Sequence, residues 1–354
     1  MTAPARDLTT PAKGLEEDAP PPSMRLRELV FGAACAAAVR AAARLRVADA
    51  LGDAPMTVES LASAVKTDPK PLRRLLRALS CYGVFAERPD GTFAHTETSR
   101  LLREDDPHSL RYIAMWCTEP WTWDAWPMLD EAVRTGRNVV EDLYGKEFFV
   151  YLNEDAPESA DVFNRAMTTS SEQSAREVAA LLDLSGSRSV ADLGGGQGHV
   201  VASLLDKYPA MKGYLLDLPK VVEKALPRLR EGGDLADRAR IVPGDIREAV
   251  PVDSDVYIIK NILEWDDDST ARLLANVIAA GGPGVRVVII ENLVDDTPSM
   301  RFSTAMDLLL LLNVGGAKHT TDSMVRRLTE AGLNVNDIRP VNPYLHAFDC
   351  TVPA

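Results

Sequence analysis

A chain of 354 residues with 39 basic and 52 acidic side chains, and so a net charge of −13, can fill two separately cored domains and has the wrong sign for non-specific attraction to nucleic acid or anionic lipid. Four dispersed cysteines, Cys35, Cys81, Cys117 and Cys350, with no C-x-x-C pair and no histidines at zinc-ligand spacing, indicate neither a disulfide framework nor a bound metal. The first residues lack the basic start and apolar run of a signal peptide and no apolar run reaches bilayer length, so a cytoplasmic setting is expected, with small molecules or protein partners as ligands.

Residues 1–23 are rich in Pro, Ala, Thr and charge without an apolar period; they bury too little surface to offset ordering entropy and predict a flexible tail. From Met24 to Leu51 helix formers dominate and small side chains recur on one face, which predicts a helix that serves either the core or a dimer contact. Two further helices, after Thr57 and after Pro71, precede two short strands around the turn Pro89-Asp90-Gly91. Residues 24–108 thus form a winged-helix pattern. Lys70, Arg73, Arg74 and Arg77 on its second helix would suit DNA, but basic residues on an amphipathic helix are more often a solvated face, and the acidic whole favours that alternative.

Residues 109–183 are again helical and hold Trp116, Trp121, Trp123 and Trp126 beside Met115 and Met128. Tryptophan this dense serves a core or walls an apolar pocket for an aromatic ligand, and the sequence leaves both open. From residue 184 the period changes: apolar strands alternate with amphipathic helices, predicting an α/β, doubly wound sheet through to residue 354, with a closing hairpin near Asn334 and Tyr344.

The segment Asp192-Leu-Gly-Gly-Gly-Gln-Gly198 ends one predicted strand and opens a helix, so Gly194, Gly196 and Gly198 can turn the chain and lay bare backbone against a ligand. Asp217 ends the next strand, where a carboxylate can take both hydroxyls of a ribose. A dinucleotide loop would have a third glycine where this chain has His199. The spacing D-x-G-x-G-x-G resembles motif I of the class I S-adenosylmethionine-dependent methyltransferases instead.

The order of Phe163-Asn-Arg-Ala-Met167, the glycine loop, Leu216-Asp-Leu-Pro219, Pro243-Gly-Asp245, Lys260-Asn-Ile-Leu-Glu264, Asp307 through Gly316 and Leu328-Thr-Glu-Ala-Gly332 resembles the small-molecule O-methyltransferases, both the plant caffeate type and the actinobacterial antibiotic-tailoring type. The resemblance spans nearly everything from residue 24. It implies a class I methyltransferase domain at 184–354 with a mostly helical winged-helix dimerisation domain before it, a homodimer, and S-adenosyl-L-methionine as cofactor without a metal. Asp192, Gly194, Gly196 and Gly198 would receive the methionine part, Asp217 and Leu218 the ribose, and Gly244, Asp245, Ile246 and Lys260 the adenine, with Met167 near the sulfonium. Met115, Trp116, Trp121, Trp126, Phe163, Asn313 and Lys318 would face the substrate.

The family pattern also implies a His-Asp-Trp base motif after the fourth strand, where this chain has Leu263-Glu264-Trp265. Anchored on Lys260, an alignment puts Glu264 in place of the pair; anchored on Trp265, it puts Leu263 at the base. Either way the histidine is gone, and Lys318 stands where the pattern has a second acidic residue. Glu291 matches a carboxylate of the plant members, and His319 is a pocket-rim residue first and a substitute base second. The expectation is therefore methylation of an aromatic phenol or quinone by placement more than by a histidine base. The alternatives are C- or N-methylation, or hydroxylation, decarboxylation or rearrangement on the bound cofactor; a ligand-sensing winged-helix regulator is less expected.

Overall fold

The computed structural model describes residues 20–264, 267–295 and 300–354, so most of the expected tail and Trp265 lie outside the described residues. The chain forms two compact units, one up to Thr118 and one from Glu119 to Ala354.

In the first unit the stretch expected as one helix from Met24 is three: Pro22–Val30, Gly32–Arg44 and Val47–Leu51. The breaks are local. Phe31 leaves helical geometry at φ −83 and ψ 4, and Arg46 takes the left-handed region at φ 56. Helix Val58–Val65 starts on Thr57, whose hydroxyl accepts from the Ser60 amide, and helix Pro69–Cys81 starts on Asp68, whose carboxylate accepts from the Lys70 amide. Leu72, Leu76 and Leu79 line the buried face of the latter helix. The wing follows as antiparallel β1 (Phe85–Glu87) and β2 (Phe93–His95), with Gly91 at φ +81 in the turn. Arg77 pairs with Glu87 at 2.9 Å and Arg73 approaches Glu59 and Glu87. Internal acidic partners thus engage Arg73 and Arg77 of this basic face.

The second unit opens with short helices and the long helix Pro157–Leu181. Its sheet contains β3 (Ser189–Leu193), β4 (Lys212–Asp217), β5 (Ala239–Pro243), β6 (Val256–Lys260), β7 (Arg286–Asn292), β8 (Asn334–Pro340) and β9 (Leu345–Thr351). The spatial order is β5-β4-β3-β6-β7-β9-β8, with the first five strands parallel and the β9-β8 hairpin antiparallel. Alternation along the strands builds a core on each face: Val256 and Ile258 join Leu204 and Val288 on one side, while Tyr257 and Ile259 join Leu273 and Leu328 on the other. Strand order reverses between β3 and β6, so their carboxyl ends border the crevice where open α/β sheets bind ligands.

Candidate functional site

The glycine loop leaves β3 at that reversal. Gly194, Gly196 and Gly198 have φ of +67, +61 and +87, a region that L side chains rarely adopt, so the loop's shape depends on their being glycine. Asp192 lies beneath the loop, 1% exposed, accepting from the Val201 amide, with its carboxyl pushed up to about 7 by burial. A Cβ on Gly195 would lie 2.5 Å from the Asp192 Cγ, so loop and carboxyl are packed as one piece. Asp192 thus supports the loop from within the fold.

Asp217 ends β4 with each carboxylate oxygen on a backbone amide: Oδ2 accepts from Gly196 at 2.8 Å and Oδ1 from Leu218 at 2.7 Å. These bonds fix its plane while lone pairs remain for further donors. Burial raises its pKa, opposed by the two amides. Leu218, next to it, is 43% exposed. The Gly244 amide donates to the Asp217 carbonyl, which brings Asp245 alongside. Asp245 is gripped by Arg247 through Nε and Nη2, and this guanidinium holds its carboxyl below the usual range. That clamp is not legible in the sequence, because an i,i+2 pair in a loop follows no helix or strand period. Ile246 is buried beside it.

Lys260, at the end of β6, has its pKa lowered by burial and partly restored by Asp192, Glu291 and Glu264. Past it, Asn261 turns the chain at φ 56, and the amides of Ile262 and Leu263 both donate to Glu291 Oε1, at 2.9 and 2.8 Å. Leu263 is fully buried and so is no open base position. Glu291 is 1% exposed, its Oε2 has no hydrogen-bond partner, and burial beside Glu264 pushes its carboxyl up to about 8. Between its ordinary 4.5 and about 8 the unfolded chain has released this proton while the folded chain still holds it, so Glu291 lowers stability as pH rises through that window. Glu291→Gln should flatten that fall, as measured by urea unfolding at a series of pH values.

Glu264 forms an ion pair with Lys318, and both side chains are nearly out of water, 12% and 4% exposed. The Ala317 amide donates to the Glu264 carbonyl and joins the pair's two segments, while the Lys318 amide donates to the Asp307 carboxylate. The lysine that departs from the family pattern is therefore the counter-charge of the glutamate that departs from it. His319 Nε2 lies 2.7 Å from the Leu263 carbonyl, and the His319 carbonyl accepts from Val294. These contacts fix the histidine between two loops.

A cavity of about 800 Å³ opens beside the glycine loop, lined by Met167, Thr168, Gly196, Gln197 and His199 among others. The Gln197 side chain donates to Thr168 at 3.1 Å and ties the loop to the long helix. Among the described residues no acidic, histidine and cysteine cluster could hold a metal ion, and no helix is long and apolar enough to cross a membrane.

The residues of the expected aromatic wall fall in both units. Met115 and Trp116 belong to the first unit, where the Met115 carbonyl accepts from Arg40. Trp121, 1% exposed, packs edge-on against Phe148, which in turn meets Phe163 at 6.2 Å, an arrangement of core rather than pocket lining for Trp121. Trp126 packs beside Leu312, and the next residue, Asn313, is 7% exposed with its Oδ1 lacking a hydrogen-bond partner.

A family model described as the O-methyltransferase domain matches residues 126–334, and one described as the O-methyltransferase dimerisation domain matches residues 27–105. The mitomycin biosynthesis 6-O-methyltransferase of Streptomyces lavendulae is 38% identical over 89% of this chain and 90% of its own. The solved mitomycin 7-O-methyltransferase is 36% identical with a TM-score of 0.81, covering 93% of this chain and 97% of that one. A methyltransferase of calicheamicin biosynthesis, solved in its SAH-bound form, is 32% identical with a TM-score of 0.85, covering 94% and 98%.

Proposed function

We propose, since this chain belongs to the O-methyltransferase family in both its catalytic and its dimerisation domains, that it transfers a methyl group from S-adenosyl-L-methionine to an oxygen of an aromatic small molecule in natural-product biosynthesis. The observation that carries the cofactor assignment is the Asp217 carboxylate, fixed by the amides of Gly196 and Leu218 at the sheet's reversal point. A carboxylate held in that way suits the two hydroxyls of a ribose, and the positive-φ glycines leave bare backbone beside it. Leu218 offers an exposed apolar surface and Asp245 an acceptor for the adenine amine. When bound, the cofactor supplies an electrophilic methyl group on a sulfonium.

The chain's own contribution is placement. Glu264 is ion-paired with Lys318, and Leu263 has no proton-accepting atom, so neither is arranged as the proton acceptor that a histidine would be. The Asn313 Oδ1 is a buried acceptor that suits a second, un-ionised hydroxyl of the substrate, and Met167 lines the cavity beside the loop. Holding an ionised phenol in line with the methyl can supply a large part of the barrier reduction without acid-base help. The phenol proton passes to bulk water in the substrate's own ionisation, before the oxygen is methylated. Calorimetry with S-adenosylhomocysteine tests the cofactor assignment; an absence of saturable binding would contradict it.

The same reading includes a homodimer. Helix Pro22–Val30 has no buried residue, and Leu26, Leu29, Val30 and Phe31 are 63–71% exposed, an apolar surface that a second copy of the dimerisation domain would cover. Light scattering should give a dimer mass for the wild type and a monomer mass for Leu29→Glu/Phe31→Glu. A monomeric wild type would contradict the assignment.

A further inference from the structure

The turn after β5 is pinned on both flanks. The Gly244 amide donates to the Asp217 carbonyl at 2.9 Å, and the Asn276 side chain, from helix Asp267–Gly281, donates to the Ile246 carbonyl at 3.0 Å. The amides of Glu248 and Ala249 close the turn on the Asp245 carbonyl. Ile246 Cδ1 lies 3.4 Å from where a Cβ on Gly194 would be, so this turn borders the glycine loop as well as the Asp217 strand end. A nucleoside held through its ribose on Asp217 lays its base along these same strand ends.

Within the turn the Asp245 carboxylate has little freedom. Its Oδ1 accepts from the Arg247 amide at 2.9 Å, its Oδ2 accepts from Arg247 Nη2 at 2.6 Å, and Nε is shared between the two oxygens at 2.9 and 3.1 Å. A carboxylate has about four lone-pair positions, so these donors leave room for little more than one further donor, on Oδ2. The Arg247 and Asp245 side chains are 38% and 21% exposed, so as an ion pair the clamp adds little to stability. What the clamp sets is direction, because a planar guanidinium fork fixes the plane of the carboxylate it grips. With Arg272 adding to the field, it also keeps Asp245 ionised, and an ionised carboxylate only accepts.

We propose that Arg247 is a specificity-determining positioning residue, which holds Asp245 as a fixed acceptor for one N–H so that the site takes a 6-amino purine and rejects a 6-oxo purine. The inference rests on the reading above in which Asp245 accepts from the adenine amine. Adenine presents an N–H to the open lone pair. Hypoxanthine presents a carbonyl oxygen at the same place, so that lone pair meets lone pair. Hypoxanthine does carry a donor that adenine lacks, the neighbouring N1–H, but a clamped carboxylate cannot turn to reach it. Released from Arg247, the carboxylate can turn, and the wrong base becomes less costly.

The test is calorimetry of S-adenosylhomocysteine and of S-inosylhomocysteine, which differs from it only in carrying the 6-oxo base. The wild type should favour S-adenosylhomocysteine by roughly a hundredfold. Arg247→Met should bring that ratio down to roughly tenfold or less, with S-inosylhomocysteine binding more tightly than it does to the wild type. Arg247→Lys keeps the charge without the fork, and its ratio should stay near that of Arg247→Met. The proposal is overturned if Arg247→Met keeps the wild-type ratio, including the case in which it weakens both ligands equally, as a merely structural role would. It is also overturned if Arg247→Lys restores the wild-type ratio, since charge alone would then suffice. Asp245→Asn separates this from the underlying reading: its carboxamide can donate to the 6-oxo group, so it should lower or invert the ratio. An Asp245→Asn ratio equal to that of the wild type, or a wild type that binds both ligands equally, would overturn the assignment of Asp245 to the adenine amine and this proposal with it.

Discussion

Replacing Lys318 with Met should destabilise the folded chain by about 3–5 kcal/mol, because it leaves the Glu264 carboxylate buried without its counter-charge. Both side chains are almost out of water, and the segments that carry them are joined by the Ala317 amide on the Glu264 carbonyl, so neither charge can easily turn out to solvent. Glu264→Leu should cost a comparable amount by stranding Lys318. The double variant Glu264→Leu/Lys318→Met should recover most of the loss, since replacing both members of a buried pair by apolar groups is often close to neutral. Chemical denaturation of the four proteins gives the cycle. If the single variants lose less than about 1 kcal/mol, the pair behaves as an exposed one. Turnover should then be compared at temperatures where each variant is folded, so that lost stability is not mistaken for a lost base.

Asp217→Ala should weaken S-adenosylhomocysteine by at least about a hundredfold, since two charge-assisted hydrogen bonds at about 1.5–3 kcal/mol each are removed. The variant also frees the Gly196 and Leu218 amides that the carboxylate now holds, which loosens the glycine loop. Asp217→Asn keeps one acceptor for those amides and should lie between the two. Calorimetry reads the affinities, and circular dichroism checks that each variant is folded. An Asp217→Ala protein of unchanged affinity would remove Asp217 from the site.

Much of this was legible in the sequence where a single local rule governs. The glycine loop after β3 and the place of Asp217 at the end of β4 could be read because a strand-turn-helix with positive φ needs glycine and because apolar runs mark where strands end. The closing hairpin followed from its alternation, and β8 and β9 bear it out. What stayed hidden depends on contacts between distant segments. Glu264 and Lys318 are 54 positions apart, and each taken singly signals only a departure from the family pattern; their pairing requires the fold. The Met24–Leu51 stretch was continuous in composition, but its breaks at Phe31 and Arg46 follow from backbone turns that helix propensity does not register. Four nearby tryptophans left core and pocket wall equally open, and only the fold gives Trp121 its edge contact with Phe148 and Trp126 its place beside Leu312.

The most direct test of the central claim is an atom balance on the reaction. Purified protein is incubated with S-adenosylmethionine labelled in its methyl group and a panel of phenols, hydroquinones and aromatic amines, and both products are quantified by mass spectrometry. The account predicts an oxygen-methylated product carrying one labelled methyl for each S-adenosylhomocysteine formed, fastest for phenols that ionise near neutral pH. A product altered without gaining the label, or labelled on carbon or nitrogen alone, would contradict it.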